Sequence, residues 1–187
     1  MTTRVPVLLR RAYKLINHGP TTLITSAFEG QRNVMAAAWV MGLDYDPPKV
    51  AAVIAAGTFT RPLVEKSGEF VINVPTAAMA AAVYAAGSVS GEDEDKFAAY
   101  EFETSPASIV SAPFIEGCAA WLECRLIPEP DIQTKYDLFI ADVVAAWADP
   151  DSFVDGVWQF PDDDKRTIHH LSGGVFLKSG DRLKPTR

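Results

Sequence analysis

Two threonine hydroxyls, at Thr58 and Thr60, stand directly before a stretch that is predicted to be helical, 61–67. Pro62 suits the first turn of such a helix, because its missing N–H has no helical partner to lose there, and Gly68 ends the stretch. Hydroxyl groups beside the free N–H groups of a helix N-terminus can bind an anion such as a phosphate group. The alternative is that Thr60 only caps the helix.

The elements that must position these hydroxyls are two apolar stretches upstream of them. Residues 33–43 carry no breaker until Gly42 and are predicted to form one strand. The two prolines of Asp46-Pro47-Pro48 remove two ladder donors, so this strand must end before them. Residues 50–56 form a short apolar run, typical of a strand buried on both faces, which Gly57 then breaks.

The rest of the chain has strand patterns without a regular alternation of strands and helices. This favours a mainly β fold, an antiparallel β-barrel with short helices. Residues 22–28 and 33–43 are predicted to pair as a hairpin through a turn at 29–31. The other predictions are strands at 69–74, 120–126, 136–147 and 169–176, helices at 76–86 and 95–100, and a polar, basic lead-in at 1–20.

Composition restricts the class of protein. A length of 187 residues, with 48% hydrophobic and 22% charged residues, fits one globular domain over 1–187. The net charge of −7 argues against nucleic acid as the main partner, because phosphate binding needs clustered lysine and arginine. No apolar run reaches the roughly 18 residues that a membrane span needs. The apolar core of the first eleven residues is too short for a signal peptide, so a cytoplasmic location is expected.

Motifs of several common enzyme classes are missing. The sequence contains no G-x-S-x-G, no G-x-G-x-x-G, no P-loop and no H-E-x-x-H. Cys118 and Cys124 form no C-x-x-C pair, and the chain has only three histidines, so no metal site is predicted. We interpret both cysteines as core thiols that face the same side of one strand.

Four segments carry a resemblance to a known family. They are Asn33-x-Met35 with the small residues and Trp39 that follow, Asp46-Pro-Pro-Lys-Val50, Thr58-x-Thr60, and Gly68-Glu-Phe-Val-Ile-Asn-Val-Pro75. Their order and spacing are similar to those of the flavin reductase family of FMN-binding split barrels, and more narrowly of its flavoredoxin-like branch. The resemblance is densest over residues 21–75, with weaker matches at 88–97 and 170–176. It implies an FMN-binding split barrel of the antiparallel Greek-key type.

The resemblance also implies where FMN would bind. It places residues 33–36 against the isoalloxazine ring, and it places Thr58 and Thr60, helped by Arg61, at the phosphate. Many relatives have threonine where this chain has Ala36, so one ring hydrogen bond, worth about 1 kcal/mol, is expected to be missing. No catalytic residue is predicted. The candidate cofactor-binding residues are Asn33, Val34, Met35, Ala36, Ala38, Trp39, Thr58, Phe59, Thr60, Arg61, Ser88, Lys96 and His170.

Some of these candidates have a second interpretation. Trp39 could flank the flavin, or it could be an aromatic residue of the core or of a dimer contact. Ser88 and Lys96 could lie near the cofactor and the nicotinamide, or they could belong to a surface loop with the acidic run 92–95. His170 could lie at the flavin edge, or it could be an ordinary surface or core histidine.

The resemblance implies a homodimeric oxidoreductase that transfers hydride from NADH or NADPH to FMN. Electrons would then leave to free flavin, to oxygen or to a partner electron acceptor. Such chemistry belongs to the cofactor and requires no acid–base residue of the protein. A flavoredoxin-like FMN electron carrier that does not use nicotinamide directly requires the same residues, so the sequence leaves both functions open. A third interpretation is a barrel that binds an apolar ligand and no flavin.

Overall fold

The computed structural model describes residues 3–186. Residues 1, 2 and 187, which the predicted lead-in and the predicted domain include, lie outside the described residues. The strands are β1 Val5–Pro6, β2 Thr22–Phe28, β3 Gln31–Ala37, β4 Val40–Tyr45, β5 Pro48–Val53, β6 Glu69–Val74, β7 Thr104–Ser105, β8 Phe114–Ile115, β9 Ala120–Ile127, β10 Leu138–Ala148, β11 Phe153–Val154, β12 Val157–Trp158, β13 Ile168–Ser172 and β14 Val175–Lys178. The α-helices are α1 Thr60–Ser67, α2 Ala80–Ser88, α3 Lys96–Ala99 and α4 Pro130–Tyr136, and two 3₁₀ helices span Leu9–Leu15 and Ala77–Met79.

One antiparallel sheet dominates the fold. Its strand order is β3-β2-β6-β9-β10-β5-β4, and β1 adds to β10. Strands β5 and β6 are consecutive along the chain but are separated in the sheet by β9 and β10, as in a Greek-key arrangement. The prediction of a mainly β, antiparallel split-barrel fold with short helices is confirmed. Within residues 3–186 no helix combines the length and the apolar character that a bilayer crossing requires.

The hairpin β2–β3 forms as predicted. Its turn residues Glu29 and Gly30 both have positive φ, 47° and 81°, and the strands pair from Phe28 opposite Gln31 to Thr22 opposite Ala37. This turn geometry matches the right-handed twist of the two strands.

The single strand predicted over 33–43 is wrong. Strand β3 ends at Ala37, and β4 begins at Val40. The two strands lie at opposite ends of the sheet order, so Ala38 and Trp39 carry the chain from one sheet edge to the other. Alternation along the sequence does not reveal this break, because both strands have the same apolar character.

Both faces of the sheet are covered, which explains why its strands are apolar on both sides. Ile24, Ile72 and Leu122 point to a barrel core, while their neighbours Leu23 and Trp121 point to an outer core beneath α2 and the segment 102–118. The predicted polar lead-in is therefore wrong in part. The first 3₁₀ helix and the residue after it place Ala12, Leu15 and Ile16, each at most 1% exposed, in the barrel core.

Strand β10 does not keep one alternating face. A β-bulge between Val143 and Ala145 shifts its register against β9. Phe139, Ala141 and Ala146 consequently share the barrel core, although regular alternation would put odd-numbered and even-numbered residues on opposite faces. A one-residue slip exchanges the two faces of a strand. Helix α4 between β9 and β10 was also missed.

The two cysteines are buried and free, as predicted. They do not face the same side, however, because Cys118 precedes β9 and packs in the outer core, whereas Cys124 packs in the barrel core. Burial raises the pKa of both thiols.

Glu123 is a carboxylate at the centre of β9 that is 0% exposed. It accepts hydrogen bonds from Ser108 Oγ at 2.8 Å, from the backbone N–H groups of Ile109 at 2.6 Å and Val110 at 3.0 Å, and from Trp147 Nε1 at 2.9 Å. Burial alone would raise the pKa of Glu123, but these donors outweigh it and hold the pKa below its ordinary value. The carboxylate thus fixes the loop 107–112 against the sheet.

Glu123→Gln should lower the free energy of unfolding by about 2 kcal/mol at pH 7, because an amide cannot satisfy donors arranged around a charge. The folded-state pKa is lowered, so this stabilisation is present above the unfolded pKa of about 4.3 and is lost as the pH falls through the folded value. Denaturant titrations at pH 7 and at pH 3.5 should show the difference between wild type and variant shrinking at low pH. The exposed Glu103 offers the matched control Glu103→Gln, and an equal loss there would contradict the assignment.

Candidate functional site

A buried hydrogen bond joins β3 to the start of α1. Asn33 Nδ2 donates to Thr60 Oγ1 at 2.9 Å, and the two residues are 4% and 0% exposed. Capping by Thr60 is not observed, because Phe59 precedes the helix as its cap residue and makes no side-chain cap bond. The Thr60 hydroxyl therefore accepts from Asn33 and keeps its own hydrogen for another partner.

The second predicted hydroxyl has a different role. Thr58 Oγ1 donates to the carbonyl of Ala55 at 2.8 Å, so its hydrogen is already used within the turn. A phosphate group needs donors, and of the two hydroxyls only that of Thr60 has a hydrogen left to offer. The two threonines are not equivalent, which their spacing in the sequence could not reveal.

Lys96 is a buried cation at the same place. Lys96 is the first residue of α3. Asp95 caps this helix, because its side chain accepts hydrogen bonds from the N–H groups of Phe97 and Ala98. The residue is 5% exposed, and Nζ donates to the carbonyl of Ala86 at 2.7 Å. Burial lowers the pKa of Lys96, and the charge of Glu94 opposes that effect. Within residues 3–186 no carboxylate forms an ion pair with Nζ, so two of its three hydrogens lack a described acceptor.

The segment 87–91 lies directly on β3, and two glycines permit this approach. A Cβ at Gly91 would lie 2.3 Å from Asn33 Oδ1 and 2.9 Å from Phe59 Cδ1. A Cβ at Gly87 would lie 3.1 Å from Ala36 Cβ. Gly87 was predicted to end its helix, but α2 continues to Ser88, and close packing against β3 accounts for the glycine instead.

These contacts form the walls of one cleft. A cavity of about 270 Å³ adjoins a second of about 180 Å³, and both have Ala36, Gly87 and Ser88 in their walls. The first is also lined by Asn33, Met35, Gly57, Thr58, Phe59, Thr60, Ala86, Val89, Ser90, Gly91 and Lys96, and the second by Thr21, Ala37, Ala38, Val83, Tyr84, His170 and Phe176. The cleft therefore runs from the Thr60 and Lys96 end to the His170 end.

Ten of the thirteen predicted side chains line this cleft, and three do not. Val34 is 0% exposed and packs in the outer core. Arg61 bonds Asp137, Glu65 at 2.8 Å and the carbonyl of Gln133 at 3.0 Å, away from the cleft. Trp39 is 75% exposed and lies outside both cavities. Those three acceptors already hold the Arg61 guanidinium, so the help of Arg61 at a phosphate stays a prediction.

Some residues that line the cleft were not predicted from the sequence. Phe176 lies in the stretch His-Leu-x-Gly-Gly-x-Phe, which gave a signal for it, and its ring is 5.3 Å from that of His170. Thr21 and Tyr84 had no signal of their own. Thr21 Oγ1 accepts from the His170 backbone N–H at 2.8 Å, which fixes β13 beside the cleft.

Two larger concavities lie elsewhere on the surface, with volumes of about 710 and 950 Å³. Neither contains the Asn33–Thr60 pair or the Lys96 ammonium in its walls. We place the candidate site in the smaller cleft, because perturbed ionisable groups and convergent polar groups indicate function better than volume does.

Comparisons with known proteins identify the family of the chain. A family model described as flavin reductase like domain matches residues 16–162. The chain is similar to the protein YddH of Escherichia coli K12, with 46% identity over 186 residues that cover 98% of each chain. It is also similar to an FMN-binding domain of a flavin reductases-like enzyme from Shewanella baltica OS155, with 43% identity, a TM-score of 0.96 and coverage of 99% and 98%. The flavoredoxin of Desulfovibrio vulgaris (Miyazaki F) has 26% identity, a TM-score of 0.77 and coverage of 89% and 90%.

Gly91→Ala should lower the free energy of unfolding by about 1–3 kcal/mol, because the added methyl group must displace Asn33 or Phe59. Gly57→Ala is the matched control in the same cleft, since a Cβ there would meet nothing within 4 Å. Thermal and denaturant unfolding of both variants measures the difference. Equal stability of the two variants would show that the segment 87–91 can move away from β3 freely.

Proposed function

Since the chain belongs to the family of flavin reductase like domains, we propose that its cleft binds FMN and that the protein is an FMN-dependent oxidoreductase. The cleft volume lies within the range of about 300–1,000 Å³ that is usual for cofactor pockets once its two parts are taken together. Bound FMN would supply the hydride and electron transfer, so the chain's own residues have to bind and orient it.

The observation that carries this proposal is the buried Lys96 ammonium group beside the Thr60 hydroxyl. Taking a charge out of water is costly unless a partner of opposite charge compensates it. Here the described partner of Nζ is one carbonyl oxygen, and the adjoining hydroxyl has an unused hydrogen. Donors of this kind, at the N-terminal end of α1, are complementary to a phosphate group.

The remaining wall residues suit a flat ring. Met35, Ala36 and Gly87 present small or flexible apolar surface between the two parts of the cleft. Ala36 offers no side-chain donor, so the backbone of β3 and of the segment 87–91 would have to supply the polar contacts to the ring. We propose that the candidate residues of the cleft bind FMN, and that Val34 contributes through its backbone alone.

Lys96→Met should weaken FMN binding at least tenfold, because a charge-assisted bond of about 1.5–3 kcal/mol is removed. The affinity for riboflavin, which carries no phosphate, should fall much less. The ligand-free variant should be as stable as wild type or more stable, because a buried charge has been removed. Calorimetric titrations and denaturant unfolding measure the two effects, with Lys66→Met on the exposed face of α1 as the control. An equal loss for riboflavin would place Lys96 at the ring and contradict the phosphate assignment.

We further propose that NADH or NADPH reduces the bound flavin. The cleft is open at the His170 end, where a nicotinamide ring could lie against a flavin. The exposed acidic run 92–95, which lies between Gly91 and Lys96 at the other end of the cleft, should repel dinucleotide phosphates. We therefore expect weak nicotinamide binding, in the millimolar range, about −4 kcal/mol. A carrier that receives electrons from a partner protein is the rival, and the similarity to a flavoredoxin supports it.

Anaerobic stopped-flow reduction separates these two functions. For a reductase, NADH or NADPH should bleach the flavin absorbance, with a rate that saturates as the nicotinamide concentration rises. Dithionite serves as the control that the flavin is reducible. If dithionite bleaches the flavin while saturating NADH and NADPH do not, the reductase function is excluded and the carrier function replaces it.

We propose that the chain forms a homodimer through the surface next to the cleft. Strand β4 is a sheet edge, and four large exposed side chains lie along it and directly before it. Edge strands with exposed apolar side chains are prone to pair with another chain. These residues, the β4 stripe, are Trp39, Met41, Leu43 and Tyr45, with exposures of 75%, 57%, 48% and 64%.

Met41→Glu should convert the dimer into a monomer of about 20 kDa, because a charge would have to be buried at the centre of the contact. Leu183→Glu is the control, since Leu183 is 91% exposed but lies in the C-terminal tail. Light scattering at several concentrations gives the masses. A wild-type mass of 20 kDa at every concentration would rule out the dimer.

A further inference from the structure

A further cavity, of about 340 Å³, is separate from the cleft and lies near His169 of β13. It opens between the first 3₁₀ helix and the hairpin β11–β12, and the C-terminal tail borders it. Neighbouring residues of β13 serve the two sites. His170 lines the cleft, whereas the ring of His169 lies 5.6 Å from that of His18 in the cavity wall.

Aromatic rings form one wall of this cavity. The Trp158 ring lies edge-on to His18 at 5.4 Å and to Phe153 at 5.2 Å, and it stacks on Phe160 at 5.5 Å. Trp158 Nε1 donates to the carbonyl of Lys14 at 3.0 Å, which fixes the ring. A wall of fixed rings favours a flat aromatic ligand, because edge-to-face and stacked contacts add to the burial of apolar area.

His18 has a buried polar atom without a described partner. Its Nε2 lies 2.9 Å from Thr167 Oγ1, while Nδ1 is buried and has no hydrogen-bond partner among residues 3–186. Burial, and secondarily the charge of His169, lowers the pKa of His18 to about 4, so the ring is neutral at pH 7. The buried Nδ1 is not accessible from the cavity, so His18 contributes its neutral aromatic ring to the wall.

Two cationic residues line the cavity. Lys14 and Arg182 are among its lining residues, and Lys14 Nζ makes only a long contact of 3.4 Å to the carbonyl of Gly156. No carboxylate of the described residues forms an ion pair with Lys14 or Arg182. Both cations are therefore available to an anionic group of a ligand.

We propose that this cavity binds a small planar aromatic carboxylate, with the ring against Trp158 and Phe153 and the carboxylate between Lys14 and Arg182. The aromatic wall disfavours an aliphatic acid, and the cations disfavour a neutral ring. The volume is near the lower end of ligand pockets, about 300–1,000 Å³, which suits a molecule of the size of benzoate better than a dinucleotide. The site is independent of the proposed flavin function.

The test uses the full chain saturated with FMN, so that the cleft is blocked, and benzoate as the probe. Calorimetry should show benzoate binding at least tenfold more tightly than benzyl alcohol, which lacks the charge, and than cyclohexanecarboxylate, which lacks the flat ring. The flavin spectrum should not change. Equal affinity for the three compounds, or release of FMN by benzoate, would overturn the proposal. If the chain binds no FMN, the same titration is made without it, because the proposed cavity does not depend on the cofactor.

Two charge variants and one control locate the site. Lys14→Gln and Arg182→Gln should each lower the affinity for benzoate at least fivefold and leave the melting temperature unchanged. Lys184→Gln removes the same charge from the same tail outside the cavity and should leave binding unchanged. A similar loss in the Lys184 variant would mean that benzoate responds only to net charge, which overturns the proposal.

Imidazole resonances give a readout that does not depend on any variant. The chain has three histidines, so the signals of His18, His169 and His170 can be assigned by NMR. Benzoate should shift the His18 signal and leave that of His170 in place. A shift of His170 alone would put benzoate in the cleft and overturn the proposal.

Discussion

The close approach of the segment 87–91 to β3 is the constraint on which the site depends. Gly91 packs against the amide of Asn33 at a distance that leaves no room for a Cβ, and a Cβ at Gly87 would lie tightly against Ala36 Cβ. Asn33 is at the same time bonded to Thr60. A loop, a strand and a helix start are thereby fixed to one another, and the cleft is the space that remains between them. Any larger residue at position 91 would displace Asn33 on β3 or Phe59 before α1, and both residues line the cleft.

The site also contains a buried charge that lowers the stability of the ligand-free protein. A lysine that is 5% exposed, with one carbonyl as its described partner, destabilises the protein unless an anion binds beside it. Glu123 shows the contrast, because that buried carboxylate accepts hydrogen bonds from a hydroxyl, from backbone N–H groups and from an indole N–H, and it stabilises its loop. We therefore propose that Glu123 is a structural group and Lys96 a binding group, since functional sites commonly keep interactions that reduce stability.

Local signals in the sequence predicted the elements that local chemistry determines. The Glu29-Gly30 turn, the helix that ends at Gly68 and the short helix predicted at 95–100 follow from local preferences, and the structure has all three. Features that depend on distant neighbours were not predictable. The burial of Lys96 follows from the carbonyl of Ala86, the position of Arg61 from Asp137, and the bulge in β10 from its register against β9. Most candidate residues of the cleft came from the family resemblance, which carries such tertiary information implicitly.

The break at Ala38 and Trp39 connects the fold with the surface around the site. These residues carry the chain from one edge of the sheet to the other, so the barrel is split where β3 ends. Ala38 still lines the cleft, while Trp39 already stands 75% exposed at the head of the β4 stripe. A partner that covers the stripe would therefore press on the residue next to the cleft wall. Because no hydrogen-bonded strand pair closes the sheet between β3 and β4, such a contact can stabilise the open side of the barrel and the cleft at once.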